Sequence, residues 1–201
     1  MEKNTFIAKA VNELLDDGFS IKLIMTRAID GKYGGWFDDN KDQKEFVVAM
    51  KRDCAFEIFV HEYSHYLQWK HHRKFFNSKV KGCDILFNWL DGKRYSKKIV
   101  SQAVKDAIEL EWHCECIALQ TIKKYKLDID VDNYTRGANC YLFFYHTVEK
   151  LRSWTKNSKS PYSPALRKLS STQLHSLDFY LDPNNYNDKL KKRHEKICSQ
   201  L

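Results

Sequence analysis

The sequence predicts an α+β domain on three observations: an apolar stripe at helical spacing near the N-terminus, three short runs of strand character behind it, and helical patterning through most of the remaining chain. From Thr5 to Asp17 the residues Phe6, Ile7, Ala10, Val11, Leu14 and Leu15 recur at helical steps, and Gly18 follows as a stop. The chain therefore opens with a helix. Ile21–Ala28, Tyr33–Phe37 and Glu45–Met50 then read as the strands of a small three-stranded sheet, joined by hairpin-like turns, the first of them at Asp30-Gly31-Lys32.

The last strand leads within a few residues into Phe56–Trp69, which contains H-E-x-x-H as His61, Glu62 and His65. On a helix the two histidines stand one turn apart on one face, so two imidazole nitrogens can meet a single zinc ion with Glu62 beside it. Zinc lowers the pKa of its water to about 7, and a neighbouring carboxylate takes that proton as the water attacks a polarised carbonyl. Phe56, Phe59, Val60, Tyr63, Leu67 and Trp69 continue an apolar stripe, and Asp53 stands where a helix cap is expected. The plain alternative is two core histidines and a surface glutamate. Burying two imidazoles and a carboxylate with no shared partner is costly, which favours the metal.

At 201 residues with 43% hydrophobic content, the chain is expected to form a single domain with a proper core. Within it, residues 1–70 carry the helix, sheet and H-E-x-x-H helix, 71–98 a basic aromatic insert, and 99–201 a helical half that supplies a further ligand. The N-terminal stretch is amphipathic without an uninterrupted apolar run, so neither a signal peptide nor a membrane span is expected, and the cytoplasm is the expected compartment. The six cysteines, Cys54, Cys83, Cys114, Cys116, Cys140 and Cys198, follow no framework spacing and read as thiols in a reducing compartment.

The net charge of +8 is concentrated between Gln68 and Ile99, where nine Lys/Arg face two acids. Phe75–Lys98 mixes aromatics with lysines and is interrupted by Gly82 and Gly92, so it reads as a loop with short helical pieces. Aromatic and basic residues interleaved in this way can hold single-stranded nucleic acid by stacking and charge, or can simply be core and solvated face. Binding of nucleic acid or a protein partner through residues 70–98, with the metal site kept as structure, is thus the alternative function.

A catalytic zinc takes three protein ligands, so His61 and His65 need one more. Ile99–Tyr125 is a long helical pattern. At about 100° steps, Val100, Val104, Ala107, Ile108, Cys114, Ala118 and Ile122 share one side, Glu111 falls near the middle of that stripe and Glu115 beside it, while Glu109 and His113 point away. A glutamate on an apolar stripe wants a partner, which makes Glu111 the candidate third ligand. Glu115, one turn on, suits a hydrogen bond from the outer nitrogen of His61 or His65. Cys114 and Cys116, two residues apart, point to nearly opposite faces and do not share a metal. His71 and His72 read as an exposed basic tail.

Helix, small sheet and H-E-x-x-H helix resembles the layout of the zincin metallopeptidases, and FEIFVHEYSHYLQW resembles their active-site helix. In that fold the strand beside the helix offers its edge to an extended substrate, which implies that role for Glu45–Met50 and a peptide as substrate. Glu111 with an acidic residue four positions on is similar to the gluzincin branch. Here the second residue is Glu where the best-known members have Asp, and 45 residues separate His65 from Glu111, more than in that pattern, so the choice between Glu111 and Glu115 stays open. ELEWHCECIALQTIKKYKLDI followed by ANCYLFFY resembles small H-E-x-x-H proteins encoded by bacteriophages and, more distantly, ImmA/IrrE-type metallopeptidases. The resemblance implies intracellular proteolysis of a regulatory protein with zinc as cofactor, in the host cytoplasm for a phage protein.

Asn133–Trp154 reads as an aromatic-rich helix, succeeded by short helical pieces and a basic C-terminal helix. Tyr141, Tyr145 and His146 are available to stabilise an oxyanion, although the simpler reading is that they are core aromatics.

Overall fold

Phe6, Ala10 and Leu14 form the buried stripe of the first helix, α1 (Lys3–Asp16). Gly18 ends it at φ +81°, a left-handed backbone that glycine adopts without a Cβ penalty, and its N–H donates to Leu15 O at 2.9 Å. The computed structural model describes residues 1–30, 33–40, 42–155 and 159–199. Element order is α1, β1 (Ser20–Ile24), β2 (Gly35–Asp38), β3 (Glu45–Ala49), α2 (Ala55–His71), α3 (Arg73–Leu90), α4 (Lys97–Tyr125), α5 (Val131–Leu151), α6 (Pro164–Arg167), α7 (Leu177–Leu181), a 3-10 turn (Pro183–Asn185) and α8 (Asp188–Cys198). The fold is α+β and mostly helical, with one small mixed sheet. Of the expected first turn, Gly31 and Lys32 lie outside the described residues.

The chain divides into two compact units, one of Met1–Arg73 with Cys114–Asp130 and the other of Lys74–His113 with Val131–Leu201. In the first, the sheet order is β1-β3-β2, with β3 parallel to β1 and antiparallel to β2. Ile29 and Tyr33, on either side of the expected first turn, exchange both backbone hydrogen bonds at 2.9 Å in an antiparallel bridge, but β1 then pairs in parallel with β3 and not with β2, so among the described strands only β2 and β3 are consecutive antiparallel partners. The sheet order corrects the expected substrate edge: Glu45–Ala49 is the central strand, hydrogen-bonded on both sides. Its uninterrupted run Phe46-Val47-Val48-Ala49 is fully buried because both faces are covered, as expected of a central rather than an edge strand. Val47 and Ala49 pack with Ile29, while Phe46 on the other face meets Phe59 of α2 at 5.2 Å between ring centroids.

The start of α2 differs from expectation as well. Asp53 does not cap it: Cys54 occupies the cap position without a side-chain cap bond, after a turn in which Ala55 N–H donates to Arg52 O at 3.0 Å. Glu57 in the first turn complements the helix dipole instead.

In the second unit, Phe75–Leu90 belongs to one continuous helix, α3, rather than to a loop. Gly82 does not interrupt it. The residue is a close-packing position, where a Cβ would lie 2.4 Å from Asp106 Cβ on α4. Without that side chain Lys79 reaches Asp106 at 2.9 Å and also pairs with Glu109. The core of this unit joins Leu86, Val104, Ala107 and Ile108 to Leu142, Phe144 and Val148 of α5 and Leu190 of α8. No disulfide joins the cysteines, and no helix among the described residues is long and apolar enough to cross a membrane.

His194 on α8 is wholly buried. Its Nε2 donates to Pro161 O at 2.7 Å while Tyr186 OH meets Nδ1, and Tyr186 in turn touches Thr147 Oγ1 at 3.1 Å. Burial lowers this histidine to a pKa of about 4. The unfolded chain, with an ordinary histidine near 6.5, binds the proton first, so native stability is full above about pH 6.5 and falls as pH drops towards 4, by about 3 kcal/mol in total. Urea unfolding of wild type and His194→Gln at pH 7 and pH 4.5 checks this: the wild type is expected to lose more stability between the two.

Candidate functional site

One side of α2 is fixed by α1. Tyr63 OH donates to the Glu13 carboxylate, Tyr66 OH donates to Asp17 Oδ2 at 2.6 Å and to Glu13 O at 3.0 Å, and Lys70 Nζ meets Asp17 Oδ2 at 2.9 Å. Phe6 packs edge-on against Phe56, Phe59 and Tyr63. Helical spacing then turns His61 and His65 to the other side, where their rings stand 4.8 Å apart at 90°.

Each ring is held through Nδ1. His61 Nδ1 lies 3.1 Å from Glu115 Oε1 on α4, the contact that the sequence suggests for that glutamate, and His65 Nδ1 lies 2.7 Å from Gln68 Oε1 one turn along α2. Glu115 is 4% exposed and Gln68 wholly buried, so neither acceptor competes with bulk water. Cys114 Sγ donates to His61 O at 3.3 Å and stands 3.8 Å from His61 Nδ1. Burial pulls the His61 imidazolium down, but the Cys114 sulfur and the Glu115 carboxylate outweigh it and raise it well above the ordinary histidine value. The negative groups next to His61 thus favour positive charge on its ring. His61, His65 and Cys114 each offer a donor atom within 4.8 Å of the others, the geometry of a group able to hold a metal ion.

Glu62 is 9% exposed and faces β2. A Cβ at Gly35 would lie 3.3 Å from Glu62 Cγ, 3.1 Å from Ile58 Cγ2 and 2.7 Å from Val47 O, so glycine lets the strand and helix close up around the carboxylate stem.

No family model, curated protein or solved structure matches the chain. The site therefore rests on its own geometry.

Glu111 lies in the second unit, where its Oε1 accepts from Tyr145 OH at 3.3 Å, and Tyr145 OH also reaches Tyr141 OH at 3.3 Å. Burial pushes the Tyr145 phenol well above its usual range. His146 Nε2 donates to Tyr180 O at 2.7 Å, and burial lowers its pKa. Glu109 pairs with Lys79, and the His113 ring packs against Phe75 at 4.8 Å. The aromatics of the basic segment are engaged in packing: Phe76 is buried, Phe75 meets His113, and Trp89 lies under Arg152 at 5.2 Å. Phe87 is 49% exposed.

Sequence reasoning misses three residues of the site. Gln68 carries a signal, being three positions after His65 on the same helix face. Cys114 counts as apolar in the stripe, and Gly35 sits in a Gly-Gly pair whose packing role needs the strand partner to be known.

Gly35→Ala is expected to destabilise the fold by about 1–3 kcal/mol, because the new methyl meets a backbone oxygen that cannot give way cheaply, and to displace Glu62. Thermal unfolding together with the crystal structure of the variant checks both effects.

Proposed function

We propose that the chain is a zinc-dependent hydrolase of peptide bonds with a zincin-like fold, in which His61 and His65 bind the metal and Glu62 is the general base. The observation that carries the reading is the pair of pinned imidazoles, with Nδ1 held by Glu115 at 3.1 Å in one and by Gln68 at 2.7 Å in the other. A ring that donates from Nδ1 keeps its Nε2 lone pair for a Lewis acid. A cation also fits on a second count. Glu115 Oε2 is buried with no hydrogen-bond partner, and an oxygen so placed is stabilised by a nearby positive ion. A third protein ligand from α4 completes the set that a catalytic zinc takes.

When bound, zinc supplies a Lewis acid that acidifies water and polarises the scissile carbonyl. Glu62 accepts the proton of the attacking water and passes it to the leaving amine. Its stem packs beside Gly35 of β2. An extended peptide is the substrate class because β2 lies beside Glu62 and, among the described residues, no strand pairs with its outer edge. Six thiols without a disulfide are in keeping with action on a protein or peptide in the cytoplasm.

Glu62→Gln separates catalysis from binding. With a quenched-fluorescence peptide library, the variant is expected to lose about 10²- to 10⁴-fold in rate at unchanged metal content. Wild-type rates in the variant, or an intact library with fully metallated wild type, would contradict the reading.

A further inference from the structure

We infer that Cys114 is the third metal ligand, in the position for which the sequence suggests Glu111. The assignment rests on the zinc-hydrolase reading and specifies its ligand set. Cys114 is 0% exposed, on the last part of α4, one residue before the glutamate that orients His61. Its sulfur lies against the His61 ring, 3.8 Å from Nδ1, and the donor atoms of His61, His65 and Cys114 all fall within 4.8 Å of one another. Donors that share a tetrahedral zinc, with Zn–N near 2.0–2.1 Å and Zn–S near 2.3 Å, are about 3.3–3.6 Å apart. The 3.8 Å approach is to Nδ1, the nitrogen held by Glu115, so sharing an ion with Nε2 requires the Cys114 side chain to swing away from the His61 carbonyl that it now meets at 3.3 Å.

Charge and softness agree with the geometry. A thiolate brings the same single negative charge as a carboxylate, so two neutral imidazoles and one thiolate leave the centre as cationic as the Glu111 set would. Binding releases the thiol proton to solvent, and no oxidant or reductant is needed. The mixed imidazole and thiolate set selects zinc or cobalt(II) over magnesium, calcium and manganese, which prefer all-oxygen sites. A second observation points to the same ion independently of the sulfur: the buried Glu115 Oε2, which has no hydrogen-bond partner. With Cys114 as ligand, Glu115 is a positioning residue that holds the His61 ring.

The test uses the full chain reconstituted with zinc, and with cobalt(II) in parallel. X-ray absorption at the zinc edge is expected to give one sulfur scatterer at about 2.3 Å beside nitrogen and oxygen. The cobalt protein is expected to show a thiolate-to-metal charge-transfer band in the near ultraviolet. Both signals should persist in Cys116→Ser and Glu111→Gln and vanish in Cys114→Ser. Where Cys114→Ser does not fold, Cys114→Ala takes its place, and a wild-type zinc shell without sulfur still overturns the assignment. Bound zinc with a shell of nitrogen and oxygen alone overturns the Cys114 assignment and leaves the hydrolase reading intact. A sulfur signal that survives in folded Cys114→Ser overturns it too. A wild type that binds neither metal overturns both.

Discussion

The contact between His61 Nδ1 and Glu115 is the constraint on which the site depends. It joins α2 to α4 through a carboxylate that is almost wholly buried, and it holds the His61 ring by Nδ1. The rest of the first unit serves that contact. Tyr63 and Tyr66 tie α2 to Glu13 and Asp17 of α1, so the helix cannot roll, and the central strand seats Phe59 against Phe46. A roll of α2 by one residue, about 100°, would carry His61 and His65 away from Cys114 and Glu115 together.

Glu62 and Glu115 are buried, and a buried carboxylate is expensive unless it is paired. Glu115 has one oxygen on His61 and the other with no hydrogen-bond partner, while the negative groups facing His61 raise its affinity for a proton. Proton and metal ion answer the same electrostatic demand. A pocket of this kind binds whichever is available, which is why metal affinity at such sites depends on pH.

Much of this is legible in the sequence because it is written in periodicity. The stripe of α1, the strand runs and the placing of H-E-x-x-H on a helix all come from local spacing. Strand order does not, since pairing is decided by residues far apart in the chain. The unbroken apolar run Phe46-Val47-Val48-Ala49 is nonetheless a signal for a strand covered on both faces, and thus for the middle of the sheet rather than its edge. α3 is hidden because Gly82 lowers helix propensity, while its reason for being there, the approach of Asp106, lies on another element. Cys114 is hidden by its chemistry: a thiol counts as apolar in a burial pattern, and only the proximity of two imidazoles marks it as a candidate donor.

The most direct test of the proposed centre is the zinc content of untagged protein, measured by plasma mass spectrometry beside His65→Ala. The account predicts near-stoichiometric zinc in the wild type and its loss in a variant that remains folded by circular dichroism. A wild type that stays empty after reconstitution, or a variant that keeps its full zinc, would contradict it.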